Sequence, residues 1–197
     1  GTAIISDQNI ELLEAVFNST EEITPISNPI KYENGPSIYN DAIFLQQIVI
    51  EEDQNISYFH NCTFYNCFQE EITSHQYAIT IHCSIFSFTN CTVKFDNNDK
   101  SIGAICIDCY CNVTITDSFF FRCNVLENDQ SGGIYYQPIQ GNEEIEYMTF
   151  KNNTFEEMAG VNSRCFKITI DYNKIDTPIS DITIKKCKDG GYTGAFY

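Results

Sequence analysis

Apolar and polar positions along this chain fall into short runs that return at nearly regular intervals. The clearest run is Phe59-His60-Asn61-Cys62-Thr63-Phe64, and Phe88-Thr89-Asn90-Cys91-Thr92-Val93 repeats it almost letter for letter. Ile115-Thr116-Asp117-Ser118-Phe119-Phe120, Phe150-Lys151-Asn152-Asn153-Thr154-Phe155 and Ile179-Ser180-Asp181-Ile182-Thr183-Ile184 keep its apolar ends and its Asn or Asp. First residues are separated by 29, 27, 35 and 29 positions, the range in which self-similarity marks a solenoid.

Side-chain period constrains the shape of the repeat. Cys62 and Phe64 share one face of a strand, whereas Phe59 is an odd five positions from Phe64 and would face the other way if the strand ran straight. The chain must therefore turn between them. At the turn stand Asn61, Asn90, Asp117, Asn152 and Asp181, the non-glycine types that best tolerate left-handed backbone. These five are the structural corner residues.

A second set of runs follows the first: Ala78-Ile79-Thr80-Ile81, Ala104-Ile105-Cys106-Ile107, Gly133-Ile134-Tyr135-Tyr136, Cys165-Phe166-Lys167-Ile168 and Gly194-Ala195-Phe196-Tyr197. Inward positions alternate as Ile79, Ile81 and Cys83 in one coil and Ile105, Ile107 and Cys109 in the next. Coils stacked about 4.8 Å apart place like residues over like. The predicted fold is all-β, a right-handed single-stranded parallel β-helix, the hand following from crossovers in one sense.

Residues 1–37 lack the repeat and are expected to form an N-terminal cap, irregular or with a short helix over Asn9 to Phe17. Residues 38–197 are assigned to the β-helix, about five to six coils, with an early degenerate coil over Ile43 to Ile50. The final run stops inside a repeat, so the β-helix is expected to continue beyond Tyr197 or to be covered by a partner there. No segment reaches transmembrane length.

Ten cysteines and six Asn-X-Ser/Thr sequons point to an extracellular or cell-surface setting. Asn61, Asn90 and Asn152 are read as corner amides, because glycans one coil apart would collide. Asn18, Asn55 and Asn112 are the glycosylation candidates. Cys62 lies over Cys91 and Cys83 over Cys109, and these are the disulfide candidates. Cys67, Cys123 and Cys187 share a column in alternate coils, too far apart to bridge, and are expected to be buried thiols. Cys106 to Cys111, near His82 and Cys83, lacks the turn of a zinc knuckle.

A formal charge of −16 argues against nucleic acid or an anionic membrane as partner. The acids gather between the two runs of each coil, among them Asp96, Asp99, Glu127 and Asp129. They are the candidate ligands for a metal, Ca²⁺, if the loops stack along one edge; the alternative is a solvated acidic margin. No other cofactor is expected. Pectate lyases and polygalacturonases share the β-helix, but the chain has only Arg122 and Arg164 as arginines and no paired Asp-Asp or Gly-His-Gly element. His60, His75 and His82 are isolated in sequence, and no catalytic residue is assigned.

Gly103-Ala104-Ile105 and Gly132-Gly133-Ile134, alternating with Phe95-Asp96-Asn97-Asn98 and Phe150-Lys151-Asn152-Asn153, resemble the GGA(I/L/V) and FxxN repeats of the polymorphic membrane proteins. Those are β-helical surface adhesins of chlamydiae, with similar repeats in surface proteins of trichomonad parasites. The resemblance covers about residues 55–197, and neither glycine pair gives the complete GGA(I/L/V) motif. It implies an exposed passenger that contacts a host-cell or extracellular protein or glycan. The Asn-, Ile-, Tyr- and Phe-rich composition with sequons suits a eukaryotic microbe. Adhesion or recognition is the expected function; a passive stalk of a larger surface protein, and a polysaccharide lyase or glycoside hydrolase, are the alternatives.

Overall fold

A computed structural model describes residues 37–50, 56–67, 77–97, 102–125, 131–137, 147–158, 165–168 and 179–187. The cap assigned to the N-terminal segment and the run ending at Tyr197 lie outside the described residues.

The described chain is all-β, a single-stranded parallel β-helix whose rungs each pass through three sheets. The first rung comprises β1 (Ser37–Asn40), β2 (Ile43–Phe44) and β3 (Ile48–Ile50), and the second β4 (Ile56–His60), β5 (Thr63–Tyr65) and β6 (Tyr77–Ile81). The third holds β7 (Ile85–Thr89), β8 (Thr92–Lys94) and β9 (Gly103–Ile107), and the fourth β10 (Asn112–Thr116), β11 (Phe119–Phe121) and β12 (Ile134–Tyr136). The fifth has β13 (Met148–Lys151), β14 (Thr154–Glu156) and β15 (Phe166–Ile168), followed by β16 (Ile179–Ser180) and β17 (Thr183–Lys185). Strands pair only in parallel, in sheets ordered β1-β4-β7-β10-β13-β16, β2-β5-β8-β11-β14-β17 and β3-β6-β9-β12-β15.

The predicted turn inside the first run is real, and it splits that run between the first and second sheets. Asn61, Asn90, Asp117, Asn152 and Asp181 all have φ between 54° and 57°. Asp41 joins them at 57°, so Tyr39-Asn40-Asp41-Ala42-Ile43-Phe44 is a sixth copy and the early coil begins at β1. Across this corner five positions always separate the inward residues: Tyr39 from Phe44, Phe59 from Phe64, Phe88 from Val93, Ile115 from Phe120 and Phe150 from Phe155. A second corner, after the second sheet, also uses left-handed backbone, at Asn66 (46°), Arg122 (53°), Glu157 (53°) and Lys186 (51°). In the third rung Phe95 occupies that place and is instead buried in the core.

In-register stacking turns each inward position into a column. Phe44 and Phe64 stack at 4.5 Å, and Phe120 and Phe155 at 4.8 Å. In the third sheet Ile48, Ile79, Ile105, Ile134 and Phe166 form one buried column, as expected, and Ile50, Ile81, Ile107, Tyr136 and Ile168 the next. Removing one such side chain costs about 2–5 kcal/mol, since its neighbours above and below cannot close the gap. At Gly133 a Cβ would stand 1.9 Å from the Cys165 carbonyl oxygen, so only glycine lets the fourth and fifth rungs approach there.

The residue after the first corner is a thiol or a polar side chain in the four middle copies, Cys62, Cys91, Ser118 and Asn153, and Ala42 and Ile182 in the outer two. Cys62, Cys91 and Ser118 each face two carbonyls, the nearer two residues back (His60 3.4 Å, Thr89 3.2 Å, Thr116 2.8 Å) and the other one rung earlier (Tyr39 3.5 Å, Phe59 3.4 Å, Phe88 3.4 Å). Asn153 Nδ2 donates to Ile115 O at 2.7 Å. The same side chains accept from the rung below: Cys62 N–H donates to Cys91 Sγ (3.3 Å), Cys91 N–H to Ser118 Oγ (3.2 Å) and Ser118 N–H to Asn153 Oδ1 (3.1 Å). Cys91, Ser118 and Asn153 thus take up corner N–H groups of the preceding rung that an apolar side chain could not accept from.

The disulfide candidates stand as neighbouring thiols in this structure. All ten cysteines are free thiols. Cys62 stands against Cys91, and Cys109 donates to the Cys83 carbonyl at 3.4 Å, so both candidate pairs are neighbours in adjacent rungs but unbridged. Cys67, Cys123 and Cys187 share a column in alternate rungs, where burial pushes the first two thiols far up.

Candidate functional site

Because the interior is filled, recognition chemistry falls to the outward faces, and the second sheet has the most varied one. Thr63, Thr92, Phe119, Thr154 and Thr183 stack in one outward column, and Tyr65, Lys94, Phe121, Glu156 and Lys185 in the other. Threonine fills four of the five places in the first column, interrupted by Phe119, and at the third rung Thr92 and Lys94 are buried. Phe119 and Phe121 lie side by side at 6.1 Å with nearly parallel rings. Lys94 Nζ sits over the Tyr65 ring at 5.3 Å, and the Arg122 guanidinium over Phe121 at 4.7 Å. On the third sheet Tyr135 and Lys167 also meet, with Nζ 5.6 Å from the ring centroid.

The second corner borders this face with charge of alternating sign. Asp96 binds Lys94 Nζ at 2.9 Å and accepts from Tyr65 Oη and from Asn66 Nδ2 at 3.2 Å. Arg122 donates to the Asp96 carbonyl and pairs with Glu157 at 2.8 Å, and Lys186 reaches Glu156 at 3.1 Å and Glu157 at 3.4 Å. Partial burial pushes the Asp96 carboxyl up, but the hydrogen bonds from Tyr65, Lys94 and Asn66 outweigh it and hold the group below its ordinary value. Arg122 holds Glu157 down in the same way.

The candidate metal ligands do not assemble among the described residues. Asp96 is engaged by Lys94, Tyr65 and Asn66, which leaves it little capacity for a hard cation. Asp99, Glu127 and Asp129 lie outside the described residues, and no group of three or more His, Cys, Asp or Glu suited to a metal occurs among those described.

The corner amides form the expected ladder. Asn61 Nδ2 donates to Asp41, Asn90 Nδ2 to Asn61 Oδ1 at 3.1 Å, and Asn152 Nδ2 to Asp117 Oδ1 at 2.7 Å. The ladder breaks where Asp117 has no proton to give, and Asn90 Oδ1 is left without a partner. Of the glycosylation candidates, Asn112 opens β10 half-buried, with its Oδ1 accepting from Tyr147 N–H at 3.2 Å. Asn18 and Asn55 lie outside the described residues.

Sequence reasoning did not find the second corner or the aromatic pair Phe119 and Phe121. Positive φ at Arg122, Glu157 and Lys186 has no residue-type signature, although a fixed offset of five from the first corner was available as a signal. His82 Nδ1 and Asp108 Oδ1, far apart in sequence, lie 2.6 Å apart across adjacent rungs.

The class that these features define is a parallel β-solenoid with a chemically varied outer face. Compared with family models, with the curated proteins and with the solved structures, the chain matches none.

Proposed function

We propose that this chain is an extracellular or cell-surface recognition module that adheres to a host-cell or extracellular protein or glycan. The observation that carries the reading is the outward face of the second sheet, where Tyr65, Phe119 and Phe121 are set among Thr63, Thr154 and Glu156 in two straight columns. Such a face offers flat rings for stacking and hydroxyls for hydrogen bonds at a repeat of about 4.8 Å, which suits an extended ligand such as a glycan chain. The acidic balance of the chain favours a neutral or cationic ligand over a polyanion.

The test is binding of the folded chain to host-type cells and to a panel of extracellular glycans, with and without calcium, beside a Phe119→Ser/Phe121→Ser double variant. Saturable binding that the double variant loses supports the reading. Calcium dependence would bring the acidic loops back as ligands. Absence of binding in every condition overturns it in favour of a stalk.

A further inference from the structure

At the turn from the third sheet back to the first, the third and fourth rungs differ by one residue. His82, Cys83 and Ser84 join β6 to β7, whereas Asp108, Cys109, Tyr110 and Cys111 join β9 to β10. Register fixes both ends, with Ile81 against Ile107 and Ile85 against Asn112. The extra residue places two cysteines of the fourth rung over one of the third.

Cys109 Sγ points back at the carbonyls of Cys83 and Ile81, both at 3.4 Å, while Cys111 meets the thiols of both Cys83 and Cys109. Cys83 and Cys111 are buried and Cys109 is half-buried. Two further buried polar atoms, Ser57 Oγ beside Cys83 and Tyr136 Oη beside the Cys111 main chain, have no partner of ordinary hydrogen-bond geometry. The cluster is thus polar, enclosed and open to solvent at one thiol.

We infer that Cys83, Cys109 and Cys111 form a redox-active trithiol, oxidised by small-molecule disulfides to a Cys83–Cys111 bridge, with Cys109 as the thiol that receives the oxidant. Cys109 attacks one sulfur of the reagent, forms a mixed disulfide and expels one small thiol, which takes up the proton that Cys109 gives up. Cys111 then displaces the second small thiol from Cys109, passing it its own proton. Cys83 attacks the Cys111 sulfur, and its proton returns to Cys109. Two protein thiols are oxidised and one reagent disulfide is reduced to two thiols. The hydrogen bond from Cys111 holds the Cys83 thiol below its ordinary value, which suits Cys83 to the last attack, while the bonds to Cys109 and Cys83, with burial, push the Cys111 thiol up and make its displacement the slow step. Cys62 and Cys91 also touch, but their hydrogen bonds close the first corner and no third thiol stands beside them to exchange.

The experiment is timed oxidation of the reduced, folded chain with glutathione disulfide, followed by alkylation and peptide mapping. The expected result is a peptide joined through Cys83 and Cys111, with Cys109 alkylated at the end and carrying glutathione early. In Cys109→Ser the same bridge forms more slowly and the early adduct is lost. Should that variant misfold, the order of adduct and bridge in the parent chain still decides the point. All three cysteines remaining alkylatable, or a bridge confined to Cys83 and Cys109, overturns the proposal. Unchanged oxidation kinetics in a folded Cys109→Ser removes the receiving role of Cys109.

Discussion

At the first corner the left-handed position holds Asn or Asp in six rungs, whereas at the second it holds Asn66, Arg122, Glu157 and Lys186. The main chain is alike at both: Asn61 N–H donates to Thr89 O at 3.1 Å, and Asn66 N–H to Lys94 O at 2.9 Å. What differs is how side chains stabilise the turn. The first corner relies on short side chains that bond to the next rung and to buried main-chain groups. The second lets long side chains leave the turn and meet ions of opposite sign in solvent. Left-handed backbone strain can therefore be met either by intrinsic tolerance or by neighbours that hold the residue in place.

The sharpest way to break the comparison is to place leucine directly after each corner. Asn153→Leu removes the partners of Ile115 O and Ser118 N–H inside the core, so it should destabilise by about 2–5 kcal/mol. Met158→Leu, at the equivalent place after the second corner, should cost less than about 1.5 kcal/mol. Urea midpoints of the two variants check the contrast, and equal losses would refute it.

Asn90→Val forces a β-branched residue to a φ of 55° and should cost about 1–3 kcal/mol, read as a lower melting temperature. An unchanged melt would remove the corner argument. Asp117→Asn works in the opposite direction. It supplies the missing donor to Asn90 Oδ1 and should stabilise by about 0.5–1.5 kcal/mol, insensitive to salt.

The smallest effect is expected at the second corner. Glu157→Gln should cost about 0–1 kcal/mol at low salt and nothing measurable at high salt. Because Arg122 depresses the Glu157 carboxyl, its contribution is full above the ordinary value of 4.5 and is lost as the pH falls through the lower folded value. Melting curves of parent and variant should converge along that acid limb; a gap that persists there would assign the effect to something other than charge.

The fold was legible in the sequence where backbone demand and residue chemistry coincide. Asn61, Asn90, Asp117, Asn152 and Asp181 announce their corner because few residue types tolerate that φ. Asp41 carries the same signal in Tyr39-Asn40-Asp41, blurred by Ala42 where other copies have Cys, Ser, Asn or Ile. The second corner was hidden because its tolerance comes from pairing across rungs, which one rung's sequence does not display. The proximity of Cys62 and Cys91 was visible in their spacing, while the carbonyls their thiols face were not. The outer face was half visible: its threonine column could be read, but the packing of Phe119 against Phe121 could not.

Five positions from inward residue to inward residue across the first corner make that corner the timing element of the chain. The links elsewhere in a rung are unequal in length, so growth or loss there alters the margin of the solenoid without altering its phase. One residue inserted between Phe88 and Val93 would instead invert the sides of β8, turning Thr92 inward and Val93 to solvent. Variation in this molecule is thereby confined to its rim, and surfaces can be exchanged there while the coil continues to count.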